Sequence, residues 1–354
     1  CPVPGNRYSD IDKARRINLM KQGINMNTRL MQSLAAGLIL TVSFSVSASS
    51  QTETGGAGLA QPLIRYDAIH HPVEGRFGMV VSQNDLASEI GRDILAQGGN
   101  AVDAAVAMGF ALAVTLPRAG NLGGSGFMLV HLAESGETIS LDYRSMAPLA
   151  SDPALFVDEA GEVDMDALTH GAKAAAVPGT VAGLYLAWKR WGALPWNTLV
   201  EPAYRLAYEG IVVSHDLHFA LSEGEVSMGQ FPSSTAVYMR PDGTAFRPGD
   251  RLVQKDLAWS LKQIAEHGAD AFYKGALAER VVKAFQADDG LMTMEDLAGY
   301  KVKERENIST RYRGYQVYSM PPVSAGGLTL LQMLNMMGEF DVASMGAGSV
   351  QSVH

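Results

Sequence analysis

The chain has 354 residues, 47% hydrophobic and 18% charged, with one cysteine and a formal net charge of −9. That length and apolar content can bury a sizeable core in one large domain or two smaller ones, and they exclude a disordered chain. Cys1 is the single cysteine, which excludes a disulfide framework and a thiolate metal centre. Residues 1–48 hold six Lys/Arg and two Asp/Glu, so the remainder stands at −13. So acidic a body is poorly matched to nucleic acid or anionic lipid and points to small-molecule partners.

Residues 1–25 precede Met26 and read as a non-native extension upstream of the true start. Residues 26–48 read as a signal peptide: Arg29, an apolar run over 34–46, then Val46-Ser47-Ala48 before Ser49. The run is short for a membrane span, which is the competing reading. Export to the periplasm or beyond the cell is therefore expected. Residues 49–77 form a Ser/Gly/Gln-rich lead-in.

From there the patterns tighten. Residues 79–81 predict a short strand, and Asn84 or Asp85 caps a helix carrying Leu86, Ile90 and Ile94 on one face. Gly98-Gly99 ends it. Residues 101–114 are apolar all round with Asp103 at the start, which predicts a buried helix whose dipole favours the carboxylate there. Residues 127–132 and 138–141 predict a hairpin about the polar turn 133–137, with Asp142-Tyr143-Arg144 at its far end. Helices are predicted over 180–191, 199–209, 254–266, 276–286 and 294–297. A strand follows over 315–319, then a helix from Gly326-Gly327 through Met337. Without regular βαβ alternation, this order predicts α+β layers.

The glycine-rich stretch AGNLGGSGF, residues 119–127, matches no familiar loop. It runs from helix into strand, the reverse of a dinucleotide fingerprint. It lacks the lysine of a phosphate-binding loop, and Phe127 stands where a nucleophile elbow needs glycine. Two readings remain: a close-packed corner, or backbone N–H groups facing a ligand. Arg144 likewise leaves two partners open, a structural carboxylate or a ligand carboxylate gripped by its fork. The eight histidines show no metal-ligand spacing, and no nucleophile–base set assembles.

Taken together, Gly98-Gly99-Asn100-Ala101-Val102-Asp103, Ala119-Gly120-Asn121-Leu122-Gly123-Gly124-Ser125-Gly126-Phe127 and Asp142-Tyr143-Arg144-Ser145-Met146-Ala147-Pro148 resemble the γ-glutamyltransferase (γ-glutamyltranspeptidase) family. Val177-Pro178-Gly179-Thr180, Tyr312-Arg313-Gly314-Tyr315 and Met320-Pro321-Pro322 with Gly326-Gly327 continue the resemblance in the family's order. It covers residues 78–354 as an incomplete large-subunit region. It implies an N-terminal-nucleophile hydrolase αββα sandwich, here in part. It also implies a precursor that cuts itself before a threonine into large and small subunits. That threonine, expected beyond His354, would carry the γ-glutamyl group of glutathione to water or to an amino acid or peptide acceptor, without metal or cofactor. The resemblance gives Arg144 the substrate's α-carboxylate, and it implies that these residues alone are inactive. A cephalosporin-acylase-like amidohydrolase and a non-catalytic secreted protein are the alternatives.

Overall fold

In the computed structural model, residues 74–158, 160–223, 229 and 231–354 are described. All of them belong to one unit, 72–354. The expected extension, signal peptide and most of the lead-in lie outside the described residues.

Helix α1 (Asp85–Ala96) starts where Asn84 accepts the Ala87 N–H, and Gly98 takes φ +91° just past its end. It lies along α2 (Ala101–Thr115) so closely that a Cβ on Gly91 would strike the Met108 side chain. Helix α2 is buried on nearly every side, as its unbroken apolar sequence requires. Its charged residue has more to do than answer the dipole. Asp103 is 0% exposed and closes a capping box with Asn100; it also accepts from the Ala193 N–H at 3.0 Å. It thereby fixes the turn between α3 (Thr180–Trp191) and α4 (Trp196–Glu209) against the start of α2.

Strands β1 (Gly126–Leu132) and β2 (Glu137–Tyr143) form the predicted hairpin, with Gly126 opposite Tyr143 and Leu132 opposite Glu137. Ile139, Leu141 and Tyr143 of β2 belong to the core, and β2 packs against α3. Beyond two short paired strands, β3 (Ile211–Val212) and β4 (Arg251–Leu252), α5 (Lys255–His267) packs along α4. There Trp196 meets Phe110 edge-on at 5.5 Å and donates its indole N–H to the Ile264 carbonyl. The chain continues through α6 (Asp270–Tyr273), α7 (Ala276–Gln286) and α8 (Met294–Gly299). It then returns as β5 (Lys303–Arg305) on the open side of β2, giving the sheet order β1-β2-β5. A second hairpin follows, β6 (Ile308–Tyr312) and β7 (Tyr315–Ser319), with Arg313 and Gly314 at positive φ in its turn. Helix α9 (Ala325–Met337) packs on that hairpin.

The arrangement is α+β, as expected. One sequence reading changes, and strands are added to those predicted. Residues 79–81 form no strand, because no ladder partner reaches them; Val80 packs against the core as a side chain instead. Strands β5 and β6 carry no apolar run and exist through their pairing. Among the described residues no helix is long and apolar enough to cross a membrane.

Candidate functional site

Arg144 is the first residue after β2, where the backbone leaves the ladder. Its N–H is taken by Asp142 Oδ1 at 3.0 Å and its carbonyl accepts the Tyr300 hydroxyl at 2.9 Å. The side chain is exposed and, among the described residues, forms no ion pair. It lines a concavity of about 230 Å³ together with Asp142, Ser145, Lys301, Lys303 and Arg305. The carboxylate nearest in sequence serves another guanidinium: Asp142 Oδ2 accepts from Arg305 Nε at 2.7 Å, with Asp142 only 5% exposed. The concavity thus combines one internally satisfied ion pair with Arg144 and two lysines. That charge balance suits an anion, and a planar guanidinium suits a carboxylate.

Tyr143 anchors the base of this site. Its ring lies in a slot made by two glycines: a Cβ on Gly126 would sit 2.6 Å from Tyr143 Cε2, and a Cβ on Gly183 would strike the opposite part of the ring. Its hydroxyl donates to the Phe127 carbonyl at 3.2 Å. Burial pushes the phenol up to about 12. Tyr300 is raised above the ordinary value too, by burial first and then by the nearby Asp142 and Tyr143. It stacks on Tyr273 at 5.7 Å, and Tyr273 donates to the Pro178 carbonyl at 2.9 Å.

The glycine-rich stretch belongs to the same construction. A Cβ on Gly120 would lie 2.7 Å from the Leu112 carbonyl oxygen. The Gly124 carbonyl accepts from the N–H groups of Gly179 and Thr180, at 2.9 and 3.2 Å, and so holds the start of α3. A Cβ on Gly179 would in turn strike the Tyr143 carbonyl and the Tyr300 hydroxyl. These contacts favour the close-packing reading of the stretch: its glycines let β1, β2 and α3 meet at backbone distance beneath Arg144.

Other concavities are larger, about 640 Å³ beside β1, about 790 Å³ beside Trp188 and Trp196, and about 540 Å³ bordered by Asn121, Gly123 and Ser145, and none of the three is lined by an arginine. Among the described residues no three His, Cys, Asp or Glu side chains gather as a metal set. The sequence singles out Arg144 and its adjoining motif but not the residues that the fold brings from the other end of the chain. Tyr300, Lys301, Lys303 and Arg305 lie more than 150 positions away, and the one local hint was the charge alternation of Lys301-Val302-Lys303.

With this geometry in place, comparison with known proteins is decisive. A family model described as Gamma-glutamyltranspeptidase matches residues 87–354. The chain belongs to the γ-glutamyltranspeptidase family. It is 46% identical over 286 residues to the glutathione hydrolase proenzyme of Escherichia coli (strain K12), covering 80% of this chain and 49% of that one. It is 38% identical over 289 residues to the acylase ACY 1 proenzyme of Pseudomonas sp. (strain SE83), covering 80% and 51%. The structure aligns with Helicobacter pylori γ-glutamyltranspeptidase at a TM-score of 0.77 and 42% identity, covering 80% of this chain and 81% of that one. The chain spans about half the length of the curated relatives it matches. The fold expected from the resemblance is therefore the family's fold, of which the described residues supply a helical layer and one three-stranded sheet.

Proposed function

We propose that this chain supplies the carboxylate-recognising half of a γ-glutamyl-transfer site, with Arg144 holding the α-carboxylate of the donor. The observation that carries the reading is the geometry at Arg144: a guanidinium without an ion-pair partner among the described residues, in a cationic concavity, with its backbone bonded on both sides. Recognition of a carboxylate by a guanidinium fork fixes both position and orientation, which an acyl transfer needs at its reacting carbonyl. The donor in this reading is glutathione or a related γ-glutamyl compound, and the acceptor is water, an amino acid or a peptide. The names of the curated relatives support a hydrolase acting on glutathione and made as a proenzyme. The nucleophile is a threonine freed by self-cleavage, contributed by sequence outside residues 1–354 and carried on a small subunit. Its hydroxyl attacks the γ-carbonyl while its α-amino group takes the hydroxyl proton. The amide C–N bond then breaks, the amine leaves with that proton, and the γ-glutamyl group of the resulting threonyl ester passes to the acceptor, restoring the hydroxyl. Residues 1–354 alone are inactive in this reading, and the processed protein works in the periplasm or outside the cell.

The test is Arg144→Lys in the complete processed enzyme. Replacing a fork by a point charge forfeits about 1.5–3 kcal/mol, so KM for glutathione rises roughly tenfold to a hundredfold. An unchanged KM removes Arg144 from substrate binding. The acylase relative supports a second reading, an amidohydrolase for other acyl groups. Faster turnover of a glutaryl amide, which lacks the α-amino group, than of the matching γ-glutamyl amide would favour it.

A further inference from the structure

We infer that Tyr300 and Asp142 are positioning residues that set the backbone of Arg144 for carboxylate recognition; the inference rests on the reading of Arg144 given above. Because Arg144 lies one step beyond the β2 ladder, neither its N–H nor its C=O is fixed by strand pairing. Two side chains take over that role. The Asp142 carboxylate accepts the Arg144 N–H at 3.0 Å, and the Tyr300 hydroxyl donates to the Arg144 carbonyl at 2.9 Å. Holding both backbone groups of one residue fixes the direction of its Cα–Cβ bond, and so the sector its long side chain sweeps.

Neither partner is free to drift. Asp142 is 5% exposed and its second oxygen is held by Arg305 Nε at 2.7 Å. Tyr300 stacks nearly parallel on Tyr273, 13° between planes, and its hydroxyl lies in the space that only a glycine at 179 leaves open. Tyr300 and Arg305 flank one stretch, 300–305, whose end is β5. The stretch that ends in β5 therefore supplies one arm of the clamp, Tyr300, and through Arg305 steadies the other, Asp142 on β2. Pre-set geometry lowers the ordering cost that substrate binding would otherwise meet.

Tyr300→Phe removes one hydroxyl and keeps the stacked ring, so the fold survives. In the complete processed enzyme we expect KM for the γ-glutamyl donor to rise about fivefold. We expect kcat to stay within a factor of two and KM for a dipeptide acceptor to be unchanged. Asp142→Asn, which keeps an acceptor oxygen for the Arg144 N–H but loses the charge facing Arg305, gives the same split. A merely structural role would instead lower kcat, or move donor and acceptor KM together, and either result overturns the inference. The double variant with Arg144→Lys separates the two claims. If the clamp acts through Arg144, adding Tyr300→Phe to Arg144→Lys raises donor KM no further. If Arg144→Lys leaves donor KM unchanged, the Arg144 reading itself fails. If Arg144→Lys raises donor KM while Tyr300→Phe and Asp142→Asn do not, the clamp alone is refuted.

Discussion

Gly126→Ala tests how the glycine-rich stretch supports the site. The added Cβ would lie 2.6 Å from Tyr143 Cε2 and 3.0 Å from both Cζ and the hydroxyl oxygen. These are distal atoms of a buried ring that ordinarily retreats by a χ adjustment. Here retreat is blocked, because Gly183 on α3 already meets the base of the same ring without room for a Cβ. Overpacking of this kind costs about 2–3 kcal/mol. Tyr143→Leu removes Cε2, Cζ and the hydroxyl, so in that background Gly126→Ala should cost under about 1 kcal/mol, a coupling of roughly 2 kcal/mol. Urea unfolding of the four proteins, followed by tryptophan fluorescence, measures the cycle. Additivity within about 0.5 kcal/mol would refute the argument that Gly126 is glycine because Tyr143 fills its side-chain space.

Asp103→Ala strips acceptors from the Asn100 and Ala193 N–H groups, bonded at 2.9 and 3.0 Å. Partial access of water to those donors limits the loss to about 2–4 kcal/mol, and Asp103→Asn should recover part of it; a urea midpoint unmoved by the alanine would contradict this. Alkaline pH offers an independent check. The Tyr143 phenol, held up to about 12 from 10.0 by burial, contributes stability that is complete below pH 10 and lost as pH rises toward 12. The loss amounts to roughly 3 kcal/mol. Tyr143→Phe should flatten that part of the stability profile, and an equally steep fall in the variant would assign it to other groups, Tyr300 and Tyr273 first.

Glycine and proline placement, capping residues and hydrophobic period are local properties, and they were read correctly where local physics governs. Asn84 marks the start of α1 because a cap needs only a side chain within reach of the first turn, whereas the capping box of Asn100 with Asp103 is a feature of the structure. The unbroken apolar run of α2 announces burial without any partner being named. The β1–β2 hairpin follows from its turn. Arg144 stood out because a guanidinium at the end of an apolar strand demands an explanation. Residues 79–81 show the limit of such reading, since three β-prone residues make a strand only when another strand accepts them.

What surrounds Arg144 was decided elsewhere in the chain. Asp142 and Arg144 sit two apart, too near in sequence to be obvious partners. The fold turns Asp142 toward Arg305 and leaves the Arg144 guanidinium without an ion pair among the described residues, because β5 pairs with β2 and places its basic residues on that edge. Tyr300 reaches the Arg144 carbonyl across 156 positions, a separation over which no periodicity or motif carries information. The glycines of residues 119–127 were legible as a demand for bare backbone. Which atoms made the demand was not: the Leu112 carbonyl, the Tyr143 ring and the start of α3 became visible only once the helices and the sheet were in contact. Sequence by itself determined the main helices, the β1–β2 hairpin and the family resemblance. Tertiary structure decided which charges pair and which stay open to a ligand, because pairing depends on distances that chain order does not encode.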